Sequence, residues 1–149
     1  MGKITTASDV MMETFATVSS DDRLSKATNY IFAHNIDGIP VVDSSGVVVG
    51  DIGEREILKT ALPIFENILA EGGGLAEADP LAELKLREDQ IKISDIMNRH
   101  IVTVSENTPL VQAAALMMSR NVDRVLVVRD KKIVGIVTRA SLVSLVTRG

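Results

Sequence analysis

Cysteine and tryptophan are absent from this chain of 149 residues, and histidine occurs twice, at His34 and His100. The lack of cysteine excludes a disulfide scaffold, thiolate metal sites and a cysteine nucleophile. Aromatic residues make up 3% of the sequence although 46% of it is hydrophobic, so a core must be built from aliphatic side chains and methionine. With no nucleophile beside a base and no spaced metal ligands, we expect no catalytic residues, no metal site and no enzyme.

Clustered positive charge and long hydrophobic runs are missing as well. The 16 basic and 20 acidic residues give a formal net charge of -4, whereas nucleic-acid binders usually show a basic face. The longest apolar stretches, such as residues 113–118, are far shorter than the roughly 20 residues that cross a bilayer. The first residues lack the apolar centre of a signal peptide. We therefore expect a cytoplasmic protein that binds neither nucleic acid nor membrane.

The most informative feature that is present is an internal repeat. The first half of the chain aligns with the second at a constant offset, as these segments show: Ser8-Asp9-Val10-Met11 with Ser94-Asp95-Ile96-Met97, Thr17-Val18-Ser19 with Thr103-Val104-Ser105, Asn35-Ile36-Asp37 with Asn121-Val122-Asp123, and, after the loss of one residue, Val49-Gly50 with Val134-Gly135. The single length change falls in a polar loop, where such changes are tolerated. The chain therefore contains two copies of one unit, which we call the first and the second repeat.

Both repeats predict the same order of elements, β-α-β-β-α. A short extended segment (residues 15–18 and 101–104) precedes an amphipathic helix with apolar residues at helical spacing. Two β-branched runs joined by a polar connection then indicate a hairpin (39–42 with 47–49, and 125–128 with 133–137). A second helix, at 54–62 and 139–146, closes each repeat. The hairpin runs are almost continuously apolar, as in strands covered on both faces.

The motifs of each repeat resemble those of the CBS domain. Each repeat begins with Ser-Asp-hydrophobic-Met, continues with Thr-Val and reaches an apolar strand, Gly38-Ile39-Pro40-Val41-Val42-Asp43 in the first repeat. Each then has glycine and a hydrophobic residue in its last strand, followed in the second repeat by Thr138-Arg139-Ala140-Ser141. The resemblance covers residues 7–59 and 93–146 and indicates a tandem CBS pair, or Bateman module.

This resemblance implies a mixed α+β (α/β) fold of two β-α-β-β-α repeats packed with pseudo-twofold symmetry. Such pairs commonly form homodimers and bind AMP, ADP, ATP or S-adenosylmethionine in clefts between the repeats. Ligand binding changes the geometry of the pair, and a partner protein responds to that change. The function it implies is regulatory signal transduction with no required cofactor. The alternative is a ligand-free dimerisation and interaction module.

The resemblance also assigns candidate ligand-binding residues to both repeats. In the first repeat they are Thr17, Val18, Gly38, Ile39, Pro40, Gly53 and Glu56; in the second they are Thr103, Val104, Arg124, Val125, Thr138, Arg139 and Ser141. We call these sets the first group and the second group.

Neither group contains the complete family motif, which is a hydroxyl residue followed three positions later by aspartate. Thr138 supplies the hydroxyl, but Ser141 stands where aspartate would bind a ribose. Gly53 replaces the other hydroxyl, while Glu56 keeps a carboxylate. Losing one charged hydrogen-bond partner costs roughly 1–3 kcal/mol, or about ten- to a hundredfold in affinity. We expect unequal sites, with phosphate favouring Arg124 and Arg139.

Simpler interpretations exist for the same residues. Thr138 with Ser141, and Gly53 with Glu56, also fit helix caps that bind nothing else. Arg124 fits a solvated or salt-bridged surface residue. Pro40 fits the first residue of a strand, where a missing N–H is tolerated.

The predicted domain boundaries are 1–62 for the first repeat, 63–92 for a helical insert and 93–149 for the second repeat. The insert continues an apolar helical stripe after Pro63 and contains Gly72-Gly73-Gly74, which predicts a flexible break rather than a phosphate loop. Our hypothesis is that the insert extends a dimer surface or covers one cleft.

Overall fold

The computed structural model describes residues 4–70 and 87–147, and within these residues the chain forms two compact units. The first-repeat unit is built from Thr17–Ser44 and Val49–Arg99. The second-repeat unit is built from Met1–Ala16, Ser45–Val48 and His100–Gly149. The glycine run of the insert lies outside the described residues.

The helices and strands follow the predicted order with an additional short helix before each repeat. In chain order they are α1 (Ala7–Val10), β1 (Val18–Ser19), α2 (Leu24–His34), β2 (Gly38–Val42), β3 (Val48–Gly53), α3 (Glu54–Ala70), α4 (Ile93–Ile96), β4 (Thr103–Val104), α5 (Leu110–Ser119), β5 (Arg124–Arg129), β6 (Lys132–Thr138), α6 (Arg139–Leu142) and α7 (Ser144–Thr147). The mixed α+β fold is therefore confirmed.

Each unit holds one three-stranded sheet. The strand order is β1-β2-β3 in the first-repeat unit and β4-β5-β6 in the second-repeat unit. The short first strand is parallel to the middle strand in both units, and β5 and β6 are antiparallel. Consecutive residues of the middle strands are buried, Ile39 to Val41 in β2 and Val125 to Val127 in β5. Burial of consecutive residues confirms that both faces of these strands are covered.

The second-repeat unit is completed by residues 5–12, which we call the first strap. Ala7 is fully buried in the same core as Leu110 and Val125. The Met12 N–H donates to the Ile136 carbonyl (2.8 Å), and the Ile136 N–H donates to the Met12 carbonyl (3.1 Å). These bonds add the strap to β6 as a short antiparallel bridge.

The first-repeat unit is completed in the same way by residues 91–98, the second strap. Ile93 is fully buried in the core beside Leu24 and Ile52. Asp51 in β3 and Asn98 exchange two backbone hydrogen bonds of 2.9 and 2.8 Å. Each strap precedes one repeat in sequence but belongs to the unit that contains the sheet of the other repeat.

A methionine of each strap packs against a glycine of the last strand. A Cβ atom added to Gly50 would lie 2.8 Å from the Met97 sulfur and 2.9 Å from the Asn98 carbonyl oxygen. A Cβ atom added to Gly135 would overlap the Met11 side chain, with 2.7 Å to its Cγ. The methionine of each Ser-Asp-hydrophobic-Met motif thus contacts the glycine of the Val-Gly motif from the other repeat.

Two predicted helix ends are wrong. The helix predicted to end at Leu62 continues to Ala70 with Pro63 inside it, since proline removes one intrahelical hydrogen bond without preventing the turns on either side. The helix predicted over 139–146 is divided at Val143 into α6 and α7. There the Ser144 hydroxyl donates to the Ser141 carbonyl at 2.7 Å, an acceptor that a continuous helix would use for its backbone.

Pro40 is not the first residue of its strand, as predicted, but the third residue of β2, which is the middle strand. Its missing N–H faces β1, because the Val42 carbonyl on the same side accepts from the Ser20 N–H (3.0 Å). In the second repeat the equivalent residue, Leu126, does donate, to the Val102 carbonyl at 2.9 Å. The lost bond explains why Thr17 lies outside β1, whereas the equivalent Thr103 begins β4.

Candidate functional site

The first group lies within the first-repeat unit, where three strands converge. Thr17 is exposed and directly precedes Val18. Because Val18 pairs with Val41 of β2, Thr17 and Val18 lie beside Pro40. Gly38 begins β2 and Gly53 ends β3. The Asp37 carbonyl accepts from the Glu54 N–H at 3.0 Å, which fixes the start of β2 against the start of α3.

Glu56 lies in the first turn of α3 and is half-buried. Its Oε1 atom accepts a hydrogen bond from the Gly53 N–H at 2.8 Å. A carboxylate at this position is stabilised by the helix dipole and satisfies a backbone donor that the helix leaves unpaired. The interpretation of Gly53 with Glu56 as a helix cap is therefore confirmed by this hydrogen bond.

The second group lies within the second-repeat unit. Arg124 at the start of β5 pairs directly with Thr138 at the end of β6, and Val125 pairs with Val137. On the other side of β5, Thr103 and Val104 of β4 pair with the two following positions, Leu126 and Val127. The structure thus brings Arg124 and Thr138 together at one end of the sheet.

Thr138 and Ser141 form a reciprocal cap at the start of α6. The Thr138 N–H donates to the Ser141 hydroxyl at 3.1 Å, and the Ser141 N–H donates to the Thr138 hydroxyl at 3.3 Å. This is a capping box in which serine replaces the usual glutamate or glutamine. Both side chains have a structural role, as the simpler interpretation expects.

The two arginines of the second group have different environments. Arg124 is 7% exposed, so the interpretation of this residue as a solvated arginine is wrong, whereas its interpretation as a salt-bridged arginine stays a prediction. Arg139 has a side chain that is 63% exposed and forms an ion pair with Asp123, with 3.4 Å between Nη2 and Oδ1.

Formal charge distinguishes the two groups at equivalent positions. The first repeat has three acids, Asp37, Glu54 and Glu56, and one cation, Arg55, around the end of its sheet, with Gly38 at the position of Arg124. The second repeat has one acid, Asp123, and two arginines at the equivalent places. The surroundings of the first group are therefore anionic, whereas those of the second are weakly cationic.

One buried acid was not singled out from the sequence. Asp51 in β3 is 6% exposed and lies two residues before Gly53. Its equivalent in the second repeat is Ile136, and a charged residue at an apolar strand position was the available signal. Within residues 4–70 and 87–147, no three acidic or histidine side chains gather as metal ligands.

A family model described as CBS domain matches residues 7–62 and again residues 93–148. The chain belongs to the CBS domain family. Because two family matches follow one another, it is a tandem CBS pair. No helix in the described part of this CBS pair has the length and apolar character needed to span a membrane.

Comparison with individual proteins agrees with this. A CBS domain-containing protein of Dictyostelium discoideum is 34% identical over 143 residues, which cover 93% of this chain and 89% of that protein. The CBS domain of a CBS domain-containing membrane protein from Sphaerobacter thermophilus is similar in structure, with a TM-score of 0.77, 28% identity and coverage of 94% and 86%. The CBS domain pair of protein MJ0100, solved in complex with 5′-methylthioadenosine and S-adenosyl-L-methionine, has a TM-score of 0.72, 27% identity and coverage of 98% of both chains.

Proposed function

We propose that this CBS pair is a regulatory module that senses an adenine nucleotide or a related adenosyl ligand and signals through a partner protein. The observation that carries the proposal is the similarity to the MJ0100 pair over 98% of both chains, since that pair binds two adenosyl compounds. We further propose that the module acts as a cytoplasmic homodimer, has no catalytic activity of its own and requires no cofactor.

The charges around the two groups support a division of ligands between them. Opposite charges across a site favour binding and like charges oppose it. Phosphate-bearing AMP, ADP or ATP should therefore favour the second group, with its buried Arg124 and its Arg139. Neutral 5′-methylthioadenosine or cationic S-adenosylmethionine should favour the first group, with Glu54 and Glu56.

The remaining residues of each group supply the other contacts that an adenosyl ligand needs. Val18 and Ile39 are buried apolar side chains in adjacent strands of the first group, as are Val104 and Val125 in the second. All four side chains belong to the hydrophobic cores, so they would form the apolar floor beneath a flat purine ring. The Glu56 carboxylate, which already accepts from the Gly53 N–H, could also accept from a ribose hydroxyl because each oxygen has two lone pairs.

Thermal unfolding with and without ligands tests the proposal. AMP, ADP, ATP, NAD, S-adenosylmethionine and 5′-methylthioadenosine are added separately to the full chain. A ligand at about a hundred times its Kd stabilises the native state by about 2.7 kcal/mol, which corresponds to an increase in Tm of about 5–10 °C. Unchanged melting curves at millimolar concentrations of all six compounds would reject ligand sensing.

Substitution of the arginines tests the proposed division. Arg124→Ala and Arg139→Ala should each weaken the binding of a phosphate-bearing nucleotide about ten- to a hundredfold and leave the binding of 5′-methylthioadenosine unchanged. Arg120→Ala is the matched control, because Arg120 is an exposed arginine of the second repeat outside the group. Isothermal titration gives the affinities, and equal losses for both ligand classes would contradict the division.

A ligand-free dimerisation and interaction module is the second candidate function. It is favoured by the caps, because Glu56, Thr138 and Ser141 already form hydrogen bonds that stabilise helix starts. In that case the six ligands leave Tm unchanged, while the chain still forms a dimer. Our hypothesis that the 63–92 insert extends the dimer surface or covers one cleft stays a proposal for either function.

A further inference from the structure

Methionine supplies all the sulfur of this chain. The sequence contains six methionines but no cysteine, and it also lacks tryptophan. Peroxides convert the methionine thioether into a sulfoxide, which is polar and chiral and which disrupts packed contacts, and methionine sulfoxide reductases reverse the change. An oxidant that acts on sulfur in this chain must therefore act on methionine.

The methionines of the two straps make the same contact with glycine but differ in exposure. Met97 is 8% exposed and belongs to the core of the first-repeat unit. Met11 is only partly buried and packs against the core of the second-repeat unit from outside. Met12, the next residue of the first strap, is 43% exposed. Because the oxidation of sulfur follows its exposure, an oxidant in solution reaches the first strap more readily than the second.

The Met11 sulfur lies at the contact that closes the first strap onto β6. It is the atom nearest to the position that a Cβ of Gly135 would occupy. An oxygen added to this sulfur either crowds the same backbone or moves the side chain away, and it places a polar acceptor in an apolar contact. The adjacent bridge between Met12 and Ile136 consists of one residue pair, and so short an element opens at a low cost in free energy.

We propose that Met11 is a site of reversible oxidation that releases the first strap from β6. The oxidant is a peroxide such as hydrogen peroxide. One oxygen atom is transferred to the thioether, which loses two electrons, and hydrogen peroxide is reduced to water. The sulfoxide separates Met11 from Gly135 and opens the bridge between Met12 and Ile136. The second strap, with its buried Met97, stays in place.

Peptide mapping by mass spectrometry after addition of hydrogen peroxide tests the order of oxidation. The gain of one oxygen at each methionine is followed over time in the full chain. Met118, which is 81% exposed, should react first, and Met11 should react at least about tenfold faster than Met97. Equal rates at Met11 and Met97, or no reaction at Met11 once Met118 is fully oxidised, would overturn the assignment.

Hydrogen exchange at two equivalent amides tests the release of the strap. The Ile136 N–H donates to the Met12 carbonyl, and the equivalent Asp51 N–H donates to the Asn98 carbonyl. Oxidation should raise the exchange rate of the Ile136 amide at least about tenfold and leave that of the Asp51 amide unchanged. Methionine sulfoxide reductases should restore the slow exchange. An Ile136 amide that stays protected while Met11 is fully oxidised would contradict the release.

Two variants of the first strap separate Met11 from its neighbour. Met11→Leu keeps an apolar side chain of similar volume that cannot form a sulfoxide, so the Ile136 amide should stay protected after peroxide. Met12→Leu is the matched control and should lose protection as the wild type does. Loss of protection in Met11→Leu, or its retention in Met12→Leu, would show that Met11 is not the site. No ligand is present, so the result is independent of the melting curves that test ligand sensing.

Discussion

The first and second repeats place a methionine against a glycine at equivalent positions, Met97 against Gly50 in one unit and Met11 against Gly135 in the other. At the candidate ligand positions the same repeats differ, with Gly38 opposite Arg124 and Glu56 opposite Ser141. In a tightly packed contact such as methionine against glycine, one residue cannot be replaced without a matching change in the other, because the two side chains share the same space. The candidate ligand positions differ between the repeats, as the unequal sites of the proposed function require.

The largest effect is expected for the second strap. Ile93 is fully buried in the core of the first-repeat unit, although it precedes the second repeat in sequence. Ile93→Ala should lower the free energy of unfolding by about 2–5 kcal/mol because it leaves a cavity, as measured by urea unfolding. Val146→Ala, at a residue that is 83% exposed, is the control and should change it by less than about 0.5 kcal/mol. Equal effects would show that the strap does not complete the core.

Replacing the glycine of either methionine–glycine contact by a larger residue should lower the stability of the fold. The two contacts should differ in how much of this loss a smaller residue in place of methionine recovers. Gly50→Ala and Gly135→Ala should each cost about 1–3 kcal/mol through overpacking. The three atoms nearest to the added Cβ at Gly135 all belong to Met11, so Met11→Ala, which leaves only the Met11 Cβ at 3.0 Å, should recover much of the loss. Near Gly50 the Asn98 carbonyl remains, so Met97→Ala should recover less.

Double-mutant cycles of urea unfolding measure these recoveries. Gly135→Ala combined with Met97→Ala is the mismatched control, and the two losses should simply add. Recovery in the mismatched pair, or equal recovery in both matched pairs, would contradict the steric account.

A smaller loss of stability, equal in the two repeats, is expected at two asparagines that share the same backbone conformation. Asn35 and Asn121 adopt positive φ angles of 51° and 52° near the ends of α2 and α5. Asparagine tolerates this left-handed conformation better than alanine. Asn35→Ala and Asn121→Ala should each lower stability by about 1 kcal/mol, while the corresponding glycine variants should not. Clearly unequal losses would indicate that one asparagine side chain has a further role.

Much of this fold could be predicted from the sequence, because the repeat supplied two independent versions of each element. The hairpins and the first helix of each repeat follow from local periodicity. The exchange of the straps could not be predicted in this way. Met11 and Gly135 both stood out as repeated residues, but nothing local indicates that they are partners. Such contacts are decided by packing between distant segments.

The candidate site shows the same limit. Thr138 and Glu56 were located correctly at helix starts, since capping depends on residues three positions apart. The burial of Arg124 was not predicted, because a charged residue at the edge of an apolar run is usually exposed. The position of Pro40 inside a middle strand was also not predicted, because it depends on the loss of one pairing to β1, which lies in another segment.

The smallest expected effect concerns an ion pair of the second repeat. Arg129 donates to both carboxylate oxygens of Glu106, at 2.7 and 2.8 Å, while the first repeat has Ser20 and Asp43 at the equivalent positions. The hydrogen bond from Arg129, and then its positive charge, lower the pKa of Glu106 below its ordinary value. A lowered native pKa means that the pair stabilises the fold above the ordinary glutamate pKa and that this contribution is lost as pH falls through the native pKa.

Glu106→Gln should therefore be less stable than the wild type at pH 7, and the difference should shrink as pH falls from about 5 to about 3. The pair is solvent-exposed, so the difference at pH 7 should be small and should decrease further in 1 M salt. Urea unfolding of both proteins across this range provides the comparison. A difference that stays constant with pH would mean that Glu106 acts through packing or the turn before α5 and not through its charge.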